Sequence, residues 1–170
     1  MIGMTMSASL VSCGDDDDEP ENNTGGTTTP SVTYNAGVMY KVDLSDDYYT
    51  YFDITAVCTD YLTGKDETLK FTKNDSLLLI GKYADIAKTY NFKVVATPKA
   101  TAPAIEAGKD YNFVSKCGLF IYYYDASETG DIAPLYKYTE TETMVVPAEN
   151  MPGFIAETWD LYKKSYTFTY

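Results

Sequence analysis

Cys13, Cys58 and Cys117 are the strongest nucleophiles in a 170-residue chain that contains no histidine. Without an imidazole, Ser-His-Asp and Cys-His catalysis are excluded. A zinc site, which draws on histidine or clustered cysteine, is not expected either. Paired carboxylates remain, because glycoside hydrolysis needs only two Asp or Glu side chains about 5 to 10 Å apart. Asp53 follows Tyr49 and Tyr51 in an aromatic stretch, and Asp125 and Glu128 lie in a turn beside Tyr122–Tyr124. A carboxylate-based glycoside hydrolase is therefore a remote expectation, set against ordinary surface acids in turns. Gly64-Lys65-Asp66 lacks the spaced glycine before it and the Ser or Thr after it that a phosphate loop needs. The chain reads as non-enzymatic, with no cofactor and no metal.

The informative thiol is Cys13. Residues 1–12 are uncharged and mostly apolar or small, as in the central part of an export signal. They are too few to cross a bilayer, which takes about 20 apolar residues. Met1, Met4 and Met6 crowd together and no basic residue precedes the apolar run, so residues 1–12 read as part of a signal whose start lies upstream. Leu10-Val11-Ser12-Cys13 resembles the lipobox of bacterial lipoproteins. That resemblance implies recognition of Leu10, Val11 and Ser12 by a signal peptidase, with Cys13 diacylglycerated and made the mature amino terminus. Two or more acyl chains anchor a protein stably where one does not, so the resemblance implies a membrane partner.

Directly behind Cys13, Asp15, Asp16, Asp17, Asp18, Glu19 and Glu21 bring six of the chain's 25 acids together. Such a block repels itself and does not pack, and the Asn, Gly, Thr and Pro of residues 22–30 continue it as a tether. The arrangement resembles outer-membrane lipoproteins of Bacteroides-type bacteria, in which Asp15 to Glu19 would act as a sorting signal for surface display. Periplasmic display is the alternative. Residues 13–31 thus read as lipidated cysteine and tether, and residues 32–170 as a single domain. Outside the acidic block 19 acids face 13 lysines, a balance of −6 against −12 for the whole chain. Nucleic acid, which requires a basic footprint, is not an expected partner.

The domain reads as short strands separated by turns. Val38, Tyr40, Val42 and Leu44 alternate with polar neighbours, and Ser45-Asp46-Asp47 suggests a turn. A strand over about 48–60 puts Phe52, Ile54, Ala56 and Cys58 on one face and Tyr49, Tyr51 and Asp53 on the other. Further strands are expected near 67–72, 77–80, 92–96, 134–138 and 143–147, with a helical turn or loop over 83–90. Tyr111 to Tyr124 is long enough to suggest a bend or change of sheet, with a bulge at Gly118. Residues 154–163 suit a short amphipathic helix or an irregular strand, and 165–170 close the chain as a strand.

Eight or so strands without a long helix point to an all-β, two-sheet antiparallel sandwich, with a β-barrel as the alternative. The chain is similar to single-domain, immunoglobulin-like lipoproteins of Bacteroides-type bacteria, although Trp159 follows both domain cysteines and so departs from the Cys-Trp-Cys order. Cys58 and Cys117 both fall on apolar faces. They could form a disulfide closing a loop of about 60 residues, worth about 3 to 4 kcal/mol, or remain free core residues. Asp75-Ser76-Leu77 resembles the O-glycosylation acceptor pattern of exported Bacteroides-type proteins, which makes Ser76 a candidate. Tyrosine is the remaining signal, with 17 in the chain. Runs of adjacent tyrosines must expose some rings, because strand neighbours face opposite ways. A ligand face of Tyr49, Tyr51, Tyr122 and Tyr124 follows, with a glycan or an envelope protein as partner.

Overall fold

The computed structural model describes residues 32–169; Leu10–Cys13, Asp15–Glu19 and Tyr170 lie outside them. The strands are β1 (Tyr34–Leu44), β2 (Phe52–Thr59), β3 (Asp66–Phe71), β4 (Asp75–Lys82), β5 (Thr89–Pro98), β6 (Asp110–Asp125), β7 (Tyr136–Pro147) and β8 (Trp159–Thr167). Two short helices, α1 (Asp46–Tyr51) and α2 (Met151–Phe154), interrupt them. One sheet, A, has the order β4-β1-β6-β7, and the other, B, has the order β3-β2-β5-β8. Every pairing is antiparallel. Each sheet keeps two edges, so the expected sandwich holds and the barrel alternative does not.

Alternation builds the core. Ala36, Val38, Tyr40, Val42 and Leu44 of β1 point inward, as do Tyr111, Phe113, Cys117, Leu119 and Ile121 of β6. Sheet B answers with Phe52, Ile54, Ala56 and Cys58 of β2 and Tyr90, Phe92, Val94 and Ala96 of β5. Six of the tyrosines, Tyr40, Tyr48, Tyr51, Tyr90, Tyr111 and Tyr162, are buried. Two of them tie the sheets together. Tyr40 donates its hydroxyl to the Thr59 carbonyl at 2.8 Å, and Tyr162 donates to the Tyr138 carbonyl at 2.7 Å while accepting from the Leu119 N–H at 3.2 Å.

Three local expectations are corrected, and a fourth, left open between two readings, is decided. Residues 46–51 are helical, because Tyr48, Tyr51 and Phe52 bury at i, i+3 and i+4, the spacing of a helix face rather than a strand. Ser45 and Asp47 pin this turn to β6: the Asn112 N–H meets Asp47 Oδ2 at 2.6 Å and the Val114 N–H meets Ser45 Oγ at 3.0 Å. β6 runs through without a bulge, pairing in unbroken register with β1 and β7, and Gly118 sits opposite Lys41 and Thr139. The two short strands expected over 134–147 are one strand, β7. Of the two readings of 154–163 the irregular strand holds from Trp159, and the short helix lies earlier, at Met151–Phe154, with Pro152 in its first turn. Residues 159–167 are a strand whose register against β5 shifts between Val94 and Val95, so that the adjacent Leu161 and Tyr162 are both buried.

Candidate functional site

The sequence candidates scatter. Asp53 is exposed at the start of β2, paired with Thr97, beside the Leu44 end of β1. Asp125 closes β6 opposite Tyr34, at the other end of β1 and in the other sheet, roughly 30 Å of strand away. Its carboxylate accepts from the Ser127 N–H and hydroxyl, each at 2.8 Å, and these bonds hold its pKa below the usual carboxylate range. Glu128 follows in the exposed turn. Asp53 is therefore not assembled into a pair with Asp125 or Glu128.

Cys58 and Cys117 are buried, on β2 of sheet B and β6 of sheet A, and are free thiols, so the disulfide does not form here. Burial pushes both up to about 12, with Asp66 adding to the shift at Cys58. Such thiols are inert as nucleophiles at neutral pH. Ser76 is exposed on β4, and its N–H bonds to the Asp75 carboxylate at 2.8 Å.

The four tyrosines of the expected ligand face separate. Tyr51 is buried against Tyr111, ring centroids 5.4 Å apart, and is removed from any ligand face. Tyr49 lies at the Leu44 end, where its hydroxyl donates to Asn74 Oδ1 at 2.9 Å. Only Tyr122 and Tyr124 share a surface, the outer face of sheet A.

That face has an ordered grid, set by the registers of β4, β1 and β6. Across the sheet one row is Leu78–Met39–Phe120, continued on β7 by Lys137. The next is Ile80–Gly37–Tyr122, and the third is Lys82–Asn35–Tyr124. Leu78 is 50% exposed and Ile80 40%. Phe120 also points outward yet is only 8% exposed. Its ring lies back over Gly118, where an added Cβ would come within 2.7 Å of it, and the Lys137 ammonium stands 5.7 Å from the ring centre. Gly37 keeps the middle of the second row low. The result is a shallow apolar and aromatic face rather than a cleft.

Its rim is basic. Lys41, Lys82, Lys116 and Lys137 point to this side against two carboxylates, Asp43, which pairs with Lys41 at 3.7 Å, and Asp110 at the far end of β6. A surface carrying four cations and two anions stands out on a domain whose balance is −6. Sheet B's outer face is different in kind. A groove of about 560 Å³ there is lined by Asp66, Asn91, Lys93, Lys163 and Ser165. Its polar groups already satisfy one another through Ser165 to Asn91 at 2.8 Å and Asn91 to Asp66 at 3.3 Å. Lys93 bridges to Asp160 at 2.8 Å.

Among the described residues no cluster of three or more Cys, Asp or Glu side chains is placed to hold a metal ion. No helix among them is long and apolar enough to cross a membrane. Sequence reasoning found Tyr122 and Tyr124 but missed Met39, Leu78, Ile80 and Phe120. The signal for them was the two glycines, Gly37 and Gly118, standing where two strands should have shown side chains. No protein-family model, curated protein or solved structure matches this chain.

Proposed function

We propose that this chain is a non-enzymatic module of the cell envelope, held by lipid on Cys13 and displayed at the surface, that binds a protein partner through the outer face of sheet A. The observation that carries the reading is the grid of Leu78, Ile80, Met39, Phe120, Tyr122 and Tyr124 within a lysine rim. An apolar, aromatic centre with a charged margin is the anatomy of a protein interface. Soluble domains rarely leave such a patch without a use. A glycan platform would need open ring faces, whereas here Phe120 is covered and the most exposed positions are aliphatic.

The test has two arms. The gene with its upstream codons is expressed with a traceable fatty acid, and intact cells are shaved with protease. Label that disappears in Cys13→Ala, together with cleavage on intact cells, supports surface anchoring; an unlabelled wild type overturns it. A photocrosslinking residue is then placed at Tyr122 or, as control, at Thr55 on the outer face of sheet B. A discrete protein adduct from position 122 alone supports the binding face. Retention on polysaccharide that is lost in Tyr122→Ala with Tyr124→Ala, without a protein adduct, would replace the protein by a glycan.

A further inference from the structure

The grid is bounded on one side by β4, and β4 differs from the other three sheet edges. Natural edges are blunted by charges, bulges or short length. β3 has six residues and turns Glu67 to the inner face beside Cys58. β7 turns Glu140 and Glu142 inward beside Cys117 and Ser115. β8 carries the register shift and Lys163 and Lys164. β4 confines its charges to its two ends, Asp75 turned to the inner face beside Val42 and Lys82 to the outer, with no charge and no register shift between them. Between Asp75 and Lys82 it reads Ser-Leu-Leu-Leu-Ile-Gly, pairs with β1 over eight residues without a shift, and exposes Leu77, Leu78 and Ile80.

Its backbone is also aimed outward in a definable way. The Leu79 carbonyl lies toward β1, since a Cβ on Gly37 would stand 2.3 Å from it. The Ser76 N–H is taken by the Asp75 side chain. With the period of two in an antiparallel ladder, Leu78, Ile80 and Lys82 turn their N–H and C=O groups to the free side. Among the described residues β4 has no strand partner there. The close approach at Gly37 holds β4 flat against β1, as a template must be held.

We infer that β4 receives an extended segment of the partner protein as a fifth strand of sheet A, one with apolar residues at alternate positions and an acidic residue at the end beside Lys82. The inference rests on the proposed protein-binding face and deepens it. Main-chain bonds to Leu78, Ile80 and Lys82 supply the pairing, and alternate side chains of the added strand extend the apolar rows beside Leu78 and Ile80. An acidic end answers Lys82, whereas Lys41 at the other end is already paired with Asp43, and the lysine excess of this face disfavours a basic segment.

The test uses the full chain and three labelled octapeptides in which valine alternates with threonine. One has glutamate at both ends, one has lysine at both ends, and one is the glutamate peptide N-methylated at alternate amides. Binding is read by fluorescence anisotropy at low salt, and hydrogen exchange is followed amide by amide. The glutamate peptide is expected to slow exchange at Leu78 and Ile80 at least tenfold, with the lysine peptide at least tenfold weaker and the methylated one inactive. Leu78→Pro, which deletes an outward N–H and leaves the β1 ladder intact, should abolish binding; Leu78→Thr should weaken it and keep the protection. Equal binding of the methylated peptide, or no protection by any peptide at millimolar concentration, would overturn strand addition. The crosslink at position 122 would still report on the face itself. Protection of β4 that grows with protein concentration alone, with a dimer in sedimentation, would put a second copy on the edge and overturn the inference too.

Discussion

Gly37→Ala should destabilise the domain by about 1–2 kcal/mol and loosen β4 first. Gly37 does not have a left-handed backbone, so nothing about φ forbids alanine. In an open strand the exchange would stabilise by about 0.4–1 kcal/mol through the unfolded chain. Here the new Cβ meets the Leu79 carbonyl oxygen at 2.3 Å, Ile80 Cγ1 at 2.8 Å and Ile80 Cα at 3.0 Å. The first of these is backbone, so a rotamer change cannot relieve it. β4 must move away by roughly 1 Å to restore ordinary contact, stretching the hydrogen bonds that Leu77, Leu79 and Gly81 make to β1. Overpacking of this kind costs about 1–3 kcal/mol, which outweighs the unfolded-state gain. Urea unfolding gives the total, and amide exchange should show faster opening at Leu77, Leu79 and Gly81 than in β6. Adding Ile80→Ala removes the side-chain contact and should rescue only part of the loss. A Gly37→Ala variant within 0.5 kcal/mol of wild type, or a complete rescue by Ile80→Ala, would refute the claim that β4 is held by backbone approach.

Other substitutions probe the tyrosine-rich core. The Tyr90 hydroxyl is buried with no hydrogen-bond partner, so Tyr90→Phe should be neutral or stabilising by up to about 1 kcal/mol; a loss above 1 kcal/mol in urea unfolding would show that the hydroxyl is satisfied. Tyr162→Phe should cost about 1–3 kcal/mol, because the Tyr138 carbonyl and the Leu119 N–H both lose their partner. An unchanged midpoint would remove Tyr162 as an inter-sheet tie. Alkaline pH should unfold the domain progressively. Burial pushes the Cys58 and Cys117 thiols and the Tyr48 and Tyr162 hydroxyls up to about 12, against about 8.5 and 10 in an unfolded chain. The native state therefore keeps protons that the unfolded state releases. Stability is complete below about pH 8.5 and falls toward pH 12, by about 1.4 kcal/mol per pH unit for each group in its window. Urea midpoints from pH 7 to 11 measure the slope, and Cys58→Ala with Cys117→Ala should flatten it between pH 9 and 10.

The alternation that sequence reasoning relies on was legible wherever a strand has one face on the core. Val38 to Leu44 and Phe52 to Cys58 fall on the faces expected of them. It failed where two periods coincide. Tyr49 and Tyr51 continue the odd positions of β2, so a period of two extends back through them, while Tyr48, Tyr51 and Phe52 satisfy i, i+3, i+4 just as well. The polar triplet Ser45-Asp46-Asp47 marked the helix start, and the contacts of Ser45 and Asp47 with β6 decide between the two readings. Long-range contacts of that kind cannot be read from a single strand's pattern. The same holds for Leu161 and Tyr162, whose joint burial imitates a helix until the shift against Val94 and Val95 explains it.

The binding face was half legible for a related reason. Tyrosine count alone overstates surface chemistry in this chain, since a sandwich this aromatic spends its largest rings inside, closing the core at Tyr40, Tyr90, Tyr111 and Tyr162. What separates Tyr122 and Tyr124 from those rings is parity on β6, where even positions turn outward. Parity alone would also have exposed Phe120, and it is Gly118 that lets that ring lie flat. Gly37 plays the matching part on β1, drawing β4 close enough that Leu78 and Ile80 join the aromatic rows. Two missing side chains thus convert three separate strands into one continuous apolar surface. Of the two, Gly37 alone touches β4, so the close approach that completes the face also carries it to the free strand edge.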